Sequence, residues 1–272
     1  MKRVALATCA AIPDLEPDDQ LLLPALAALG INGQPAVWDD PAVEWSAFDL
    51  VVLRSTWDYA ERHTEFLEWA RSLPRILNDF PLLAWNTDKE RYLTDLDAAG
   101  VPIVDTHFFK PGEVFVMSRE PHVVKPSVSA GGRNSARFGP YDDEASSALI
   151  RRIHAEGRTV MVQPFIADED EKALVYIDGE FSHCLQRTVP LPSGGDSAVL
   201  YLEEELAPAE ATGREHSTAE AALACAPGDP LYARVDLLGG AVLELELTEP
   251  SLYLSFGEGS ADRLATAIAR RL

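Results

Sequence analysis

The sequence has few cysteines and no long apolar run, and both absences exclude classes of protein. Its three cysteines among 272 residues are widely spaced and form no C-x-x-C motif. An odd, scattered set of this kind does not suit a disulfide framework or a zinc site, and it fits a reducing compartment. No stretch approaches the roughly 18 apolar residues of a membrane helix. The short apolar run after Met1 reaches acidic residues too soon for a secretion signal. We therefore expect a cytoplasmic protein without a membrane partner.

Positive charge is also scarce. The 23 Lys and Arg residues stand against 44 Asp and Glu, which gives a net charge of −21. Such a surface repels phosphate backbones, which argues against nucleic acid as a partner. Any phosphorylated ligand must be held by local basic groups and divalent metal. Apolar residues make up 47% of the chain, the balance of a folded globular protein and not of a disordered one.

Roughly the first 80 residues alternate between strand and helix patterns. Strand patterns cover 3–8, 34–38 and 49–53, and helix patterns cover 18–29 and 64–73. This alternation predicts an α/β fold with an open, largely parallel sheet. The strand 49–53 runs directly into Arg54 at the sheet edge where ligands of such folds bind. A guanidinium there suits a carboxylate or phosphate group; a surface arginine with aromatic neighbours packed in the core is an equal alternative.

Two lysines stand beside features that attract phosphate. Thr87 or Asp88 is the expected N-cap of a helix, which places Lys89 in the first turn near free backbone N–H groups. Lys125 ends a short apolar strand and precedes a loop rich in Ser and Gly, whose backbone donors can approach phosphate oxygens. The loop is not a Walker motif, because its lysine precedes the glycines. A solvated lysine and a glycine-rich hairpin turn are the ordinary alternatives.

The C-terminal half reads as strands with two helices. A strand pattern at 159–166 leads into an acidic loop at 168–171, and a hairpin of 172–177 and 180–186 turns at an Asp-Gly pair. A loop follows at 190–195. Helices are expected within 207–226 and at 260–272. The chain has no G-x-S-x-G elbow of a serine hydrolase, and its six histidines show no ligand spacing.

A second hairpin carries three acidic residues, Asp236, Glu244 and Glu246. Side chains alternate across a strand, so the two glutamates share a face. A strict two-residue glycine turn would pair Asp236 with Leu243, whereas a three-residue turn or a bulge would pair it with Glu244 and gather three carboxylates. Such a cluster requires cations among the carboxylates. Glutamates facing water from a half-solvated strand are the ordinary alternative.

In type and order, these elements resemble the ATP-grasp superfamily of ligases from about residue 86 to residue 250. The resemblance implies an ATP-grasp fold, in which an N-terminal open parallel sheet precedes two lobes that clasp ATP, with α+β character in the C-terminal part. The expected domains are a substrate domain at 1–85, a small lid domain at 86–160 and a metal-binding domain at 161–272.

The resemblance also assigns roles to residues. Phosphate contacts fall on Lys89, Lys125 and the mobile loop with Ser127, Ser129, Gly131 and Gly132. Adenine and ribose contacts fall on Gln163, Phe165, Ile166 and Glu171. Arg187, with Lys125, falls on the group that steadies the transferred phosphoryl, and magnesium ligands fall on Asp236, Glu244 and Glu246. We expect the substrate to be held by Arg54, Thr56, Trp57, Asp58 and Arg234, with Arg54 on a carboxylate and Asp58 on an ammonium group.

Two positions depart from the superfamily pattern. Many relatives carry asparagine where this chain has Glu246, so the extra charge leaves open which ion this residue contacts. Pro164 removes one backbone donor from the adenine hinge, which would leave the base to Ile166 and to carbonyl oxygens.

The motifs at 54–59 and 244–250 look like a bacterial subgroup that contains the cycloserine-forming ligase. That resemblance implies ATP and Mg²⁺, most simply two ions with Mn²⁺ as a substitute, and an acyl phosphate intermediate. It implies ring closure of O-ureido-D-serine to D-cycloserine, an amino-acid-like small molecule as substrate, and a homodimer as a further possibility. A ligase that joins two molecules is the alternative reaction, and an inactive nucleotide-binding module is the alternative class.

Overall fold

A computed structural model of the chain describes residues 1–113, 119–167, 171–189 and 204–272. The predicted loop at 190–195 and most of the predicted acidic loop at 168–171 lie outside the described residues. Within those residues, no helix combines the length and the apolar character needed to cross a bilayer.

The N-terminal layer is a parallel sheet in the order β2-β1-β3-β4. Its strands are β1 (Lys2–Thr8), β2 (Ile31–Val37), β3 (Leu50–Ser55) and β4 (Ile76–Leu77). Helices α1 (Leu22–Ala28) and α2 (His63–Ser72) flank it. Val4 to Thr8 of β1 and all of β3 are buried, as their apolar runs indicate. Pro35 lies in β2, an edge strand, where a missing N–H is tolerated. The predicted parallel sheet is confirmed.

Two short helices connect this layer to the rest of the chain. Helix α3 (Phe80–Asn86) begins after Asp79, whose carboxylate accepts a hydrogen bond from the Leu82 N–H. Helix α4 (Lys89–Ala98) begins after Asp88, which accepts a hydrogen bond from the Glu90 N–H. Asp88 is therefore the N-cap, one of the two predicted residues, and Lys89 is the first helical residue.

A small antiparallel sheet, named the lid sheet after the predicted lid domain, has the order β5-β8-β6-β7. Its strands are β5 (His107–Phe109), β6 (His122–Pro126), β7 (Ala136–Phe138) and β8 (Val160–Pro164). Helix α5 (Asp143–Ala155) covers one face and buries Leu149 and Ile153 against Val124 and Phe138. The predicted phosphate loop connects β6 to β7, so this sheet determines where the loop begins and ends.

The largest sheet is antiparallel in the order β11-β10-β9-β12-β13. Its strands are β9 (Glu171–Ile177), β10 (Glu180–Thr188), β11 (Glu205–Pro208), β12 (Tyr232–Leu238) and β13 (Ala241–Glu246). Helices α6 (Gly213–Leu223) and α7 (Ser260–Arg270) complete this part. Both predicted hairpins are present, and both predicted helices lie within their expected ranges.

The N-terminal sheet and the largest sheet share one hydrophobic core. Val4 and Leu6 of β1 belong to the same buried cluster as Val175 of β9, Tyr232 of β12 and Ile268 of α7. Asn78 strengthens this junction, because its amide donates to the Tyr232 and Leu247 carbonyls and accepts from the Leu231 N–H. The Tyr232 hydroxyl lies 2.7 Å from the Leu53 carbonyl of β3 and 2.9 Å from the Thr248 carbonyl that follows β13. The end of β3 is therefore held beside the end of β13, and this arrangement positions the site.

Candidate active site

The hairpin of β12 and β13 combines the two turn geometries that the sequence left open. Gly239 and Gly240 form a two-residue turn with φ values of 58° and 79°, which non-glycine residues adopt at a cost. A register shift then inserts Leu243 as a bulge, so Leu237 pairs with Val242 and Asp236 pairs with Glu244. Arg234 pairs with Glu246 one step along. The three predicted carboxylates therefore lie on one face, as the bulged alternative predicted.

Glu244 lies between the two predicted phosphate-binding lysines. Its carboxylate is 2.8 Å from Lys89 Nζ and 3.3 Å from Lys125 Nζ. Burial alone would raise the pKa of Glu244, but the positive charges of Lys125 and Lys89 outweigh it and hold that pKa well below its usual value. The structure thus joins residues from α4, β6 and β13 at one point.

Two arginines hold the other carboxylates. Arg187 Nη1 donates to Asp236 at 2.5 Å and lies 2.9 Å from Glu171, while its Nη2 donates to Glu204 at 2.5 Å. Arg234 donates to both oxygens of Asp236 at 2.9 and 3.0 Å and to Glu246 at 2.5 Å. Burial would lower the pKa of each guanidinium, but the neighbouring carboxylates raise it well above the ordinary value. Both arginines are therefore permanently charged.

Two other carboxyl groups of this cluster hold their protons more tightly than usual. Burial is the largest cause for both Glu171 and Glu246, and it raises each pKa to about 7 in spite of the nearby arginines. Asp236 adds to the effect in both cases through repulsion between like charges. Glu171 and Glu246 are therefore partly protonated near neutral pH, and a bound cation would favour their charged forms.

These groups line one cavity of about 430 Å³, to which the lid sheet, the N-terminal layer and the largest sheet all contribute residues. The described lining includes eight acidic side chains against four basic ones, Lys89, Lys125, Arg187 and Arg234. Carboxylate oxygens are the ligands that magnesium prefers, and the excess of negative charge suits a divalent cation. Among the residues that the structure describes, no group of three or more acidic, His or Cys side chains is arranged as a metal cage. Asp236, Glu244 and Glu246 each contact a basic side chain instead.

The serine- and glycine-rich loop folds onto Lys89. Lys89 Nζ donates to the Ser129 carbonyl at 2.8 Å, and its backbone N–H donates to the Ser127 carbonyl at 3.0 Å. Ser129, Gly131 and Gly132 line the cavity, whereas Ser127 is buried below it. Both glycines have positive φ, 61° and 71°, which brings their backbone close to the cavity. The structure therefore brings together the lysines and most of the predicted phosphate loop.

The predicted adenine residues lie farther out. The Gln163 amide donates to Thr106 at 2.9 Å, and the Arg137 guanidinium lies over the Phe165 ring at 3.6 Å. Ile166 is partly exposed. In the described chain, Glu171 lines the cavity, but Gln163, Phe165 and Ile166 do not. Their adenine contacts stay predictions.

The predicted substrate-binding residues differ in whether they reach the cavity. Trp57 and Arg234 line the cavity, but Arg54, Thr56 and Asp58 are not among its described lining residues. Arg54 is completely buried, and it donates to Asp19 at 2.8 and 2.9 Å and to the Pro250 carbonyl at 2.8 Å. Asp58 accepts a hydrogen bond from Trp38 Nε1 at 2.8 Å. We therefore correct the expected role of Arg54, which is completely buried and engaged within the fold. The expected contacts of Thr56 and of the partly exposed Asp58 stay predictions.

Sequence reasoning missed several residues of the site. Glu204 lies between two other acidic residues, Glu203 and Glu205, without any motif. It nevertheless binds Arg187 and accepts a hydrogen bond from Tyr253. The Tyr253 ring lies 5.4 Å from the Arg234 guanidinium and 5.9 Å from that of Arg187. Glu249 also lines the cavity. Of these residues, only Glu249 could have been identified from the sequence, because it belongs to the acidic motif at 244–250.

Comparisons with known proteins agree with this geometry. A family model described as the N-terminal domain of D-cycloserine synthetase DcsG matches residues 4–78. The cycloserine biosynthesis protein DcsG of Streptomyces lavendulae is 36% identical over 296 residues, which cover 99% of this chain and 98% of that protein. The crystal structure of D-cycloserine synthetase DcsG matches with a TM-score of 0.87 and 32% identity over 99% of each chain.

A more distant structure supports the fold. The D-alanine–D-alanine ligase of Bacillus anthracis, in complex with ATP, matches with a TM-score of 0.68 and 15% identity, over 99% of this chain and 97% of that one. At this identity the likeness concerns architecture alone. The chain therefore has the ATP-grasp fold and belongs to the D-cycloserine synthetase DcsG family.

Proposed function

We propose that this protein is an ATP-dependent, ADP-forming ligase that closes O-ureido-D-serine into D-cycloserine. The observation that carries the proposal is the position of Glu244 between Lys89 and Lys125, in one cavity with Arg187 and Asp236. Membership of the D-cycloserine synthetase family supports the substrate. In this reaction ATP phosphorylates the substrate carboxylate, and the ureido nitrogen that is bonded to oxygen displaces phosphate and closes the ring. Water then cleaves the carbamoyl group from that nitrogen, and the carbamoyl group leaves as carbon dioxide and ammonia.

The ion pairs of the cavity can exchange partners when the nucleotide binds. Lys89 and Lys125 now contact Glu244, and phosphate oxygens would compete for both ammonium groups. Release of both lysines would free Glu244 to hold magnesium through its oxygens. Asp236 and Glu246, which pair with Arg187 and Arg234, lie on the same face beside it. Bound magnesium supplies neutralisation of phosphate charge. The basic and acidic groups therefore both gain a partner of opposite charge from the same ligand.

Arg187 and the glycine loop contribute in different ways. Arg187 is buried, charged and fixed by three carboxylates, so it can hold the transferred phosphoryl group without reorganising. The loop with Gly131 and Gly132 lines the same cavity as Lys89 and Lys125, and it would exclude water from a reactive acyl phosphate. Catalysis by these residues is positioning and electrostatic stabilisation.

The direct test measures ADP release from ATP, Mg²⁺ and O-ureido-D-serine. We expect Arg187→Ala and Glu244→Ala each to abolish release while far-UV circular dichroism stays that of a folded chain. Matched controls are Arg270→Ala, whose side chain is 71% exposed, and Glu258→Ala, which is exposed on the surface. Near-normal turnover in both cavity variants would refute the assignment.

The same assay separates the related reactions. ADP release with a single substrate supports ring closure, whereas dependence on an added amine supports an intermolecular ligase. A phosphate-release screen with D- and L-amino acids tests the stereochemistry. Binding of ATP without ADP formation against the whole panel would favour a module without activity.

We also infer a cytoplasmic location and a homodimer. Cys9, Cys184 and Cys225 are all free, and the first two are buried, which suits a reducing compartment. The dimer rests on the family resemblance, and sedimentation velocity would test it.

A further inference from the structure

Glu249 occupies a fixed position at one end of the cavity. Its own carbonyl accepts a hydrogen bond from Trp57 Nε1 at 3.2 Å, and the carbonyl of the next residue, Pro250, accepts from Arg54. The Thr248 carbonyl on its other side accepts from the Tyr232 hydroxyl at 2.9 Å. Three hydrogen bonds, from Trp57, Arg54 and Tyr232, therefore fix the backbone of this segment, which follows β13. The Glu249 side chain lines the cavity, and the residue is only 8% exposed.

This carboxyl group has no partner in the described part of the chain. No basic side chain there forms an ion pair with it, and no donor hydrogen-bonds to it. The two nearby cations are already engaged, Lys89 by Glu244 and the Ser129 carbonyl, and Arg234 by Asp236 and Glu246. Burial, and then repulsion from Glu246, raise the pKa of Glu249 well above its usual value. A cationic group of a ligand would stabilise the charged form of such a buried, unpaired carboxyl.

We propose that Glu249 binds the α-ammonium group of the substrate. This inference rests on the proposed function, since it concerns the amino acid that the ligase would activate. It also gives the ammonium group a binding residue in place of Asp58, which Trp38 engages.

The surroundings favour an ammonium group over a metal ion. A divalent ion takes six or more oxygen ligands, whereas one carboxylate is enough for an ammonium group. Trp57 and Tyr59 line the same cavity, and the faces of aromatic rings attract organic cations. The substrate would then lie with its amino group toward the N-terminal sheet and its carboxyl toward Lys125 and Arg187.

The test compares two ligands that differ only in the α-amino group, O-ureido-D-serine and 3-(ureidooxy)propanoate. Calorimetric titration gives the dissociation constant of each for the wild type, Glu249→Gln and Glu249→Asp, and for the exposed control Glu258→Gln. We expect the wild type to prefer the amino compound by about 10- to 100-fold, the range for a charged hydrogen bond. In Glu249→Gln this ratio should fall toward one, with the KM for ATP within about twofold of the wild type.

The conservative variant and the control make the result specific. Glu249→Asp keeps the charge and should keep a preference for the amino compound, and Glu258→Gln should keep the wild-type ratio. A wild-type ratio in Glu249→Gln would overturn the inference, as would equal binding of both ligands by the wild type. ADP release is read separately: a chain that binds the amino compound through Glu249 but forms no ADP contradicts the proposed reaction and leaves this inference standing.

Discussion

Arg54 joins two parts of the chain that are almost two hundred residues apart. Its guanidinium is buried, donates to Asp19 and to the Pro250 carbonyl, and lies 4.8 Å from the centre of the Tyr232 ring. Burial would lower the pKa of Arg54, but Asp19 more than compensates and raises it. The ion pair therefore fixes the segment that carries Glu249 relative to the end of β3.

Replacing Arg54 by alanine should destabilise the fold rather than weaken substrate binding directly. The change leaves Asp19 buried without its cation, which costs about 3–5 kcal/mol of the free energy of unfolding. Urea denaturation followed by circular dichroism measures this loss. Lys2→Ala is the control, because it breaks a pair with Asp49 that is largely exposed, and little change is expected. Unchanged stability together with a raised KM for the amino acid would restore the role that the sequence suggested.

The behaviour of Arg54 shows what sequence reasoning at single residues can and cannot reach. Lys89, Lys125 and Glu244 were found because a helix start, a glycine-rich loop and an acidic strand each point to phosphate or metal. Arg54 was placed at the correct sheet edge, but nothing in the sequence revealed that Asp19 from a distant loop would occupy it. Long-range pairing of this kind is determined by packing and leaves no local pattern.

The site is organised by one irregularity of a strand. Leu243 is an additional residue in β13, and without this bulge a two-residue turn would pair Asp236 with Leu243. A shift of one residue moves every side chain to the opposite face of a strand. The sequence left this point undecided, since either a longer turn or a bulge produces the same pairing. Tight glycine turns are recognisable, whereas bulges depend on how the strand packs against its neighbours.

His183 connects β10 to the segment that follows β13. Protonation of this residue should make the free energy of unfolding depend on pH. Its Nε2 donates to the Leu252 carbonyl at 2.9 Å, and its Nδ1 accepts from the Ser182 hydroxyl at 2.8 Å. Burial is the main cause that lowers the pKa of His183 below the ordinary 6.5. As pH falls below about 6.5, the unfolded chain takes up a proton that the folded chain resists, so this contribution to stability is lost.

We therefore expect the free energy of unfolding to fall less between pH 7.5 and pH 5.5 in His183→Gln than in the wild type. At pH 7.5 the variant should be less stable by about 1 kcal/mol, because a buried hydrogen bond is weakened. Urea titrations at both pH values measure the difference, and the exposed His107→Gln should follow the wild type. Identical pH slopes in the wild type and His183→Gln would contradict the link.

At the scale of the whole molecule, the sheets differ in how they are joined. The lid sheet has a hydrophobic cluster of its own around Val124 and Ile153. The N-terminal sheet and the largest sheet instead share a cluster that contains Leu6, Val175 and Ile268. Sequence periodicity predicted each sheet separately, because periodicity is local. It could not show that two of the predicted domains would bury one common core.

A shared core implies that these two sheets unfold together. Trp38, Trp45 and Trp69 pack in the N-terminal layer, whereas Trp85 packs against the largest sheet. Fluorescence of a Trp85→Phe chain therefore reports mainly on the N-terminal layer, and far-UV circular dichroism reports on helices and strands along the whole chain. We expect the two signals to give the same urea midpoint. Asn78→Ala leaves three buried backbone groups without a partner and should lower stability by about 2–5 kcal/mol in both signals.

The partly exposed Asn32→Ala, in the edge strand β2, is the control and should leave both midpoints nearly unchanged. A tryptophan transition at lower urea than the circular dichroism transition would mean that the N-terminal layer unfolds by itself. In that case the contacts of Tyr232 and Asn78 across the junction contribute little, and the segment that carries Glu249 would be held by the largest sheet alone. Coincident transitions would instead make the junction a condition for the site, since it aligns the end of β3 with the end of β13.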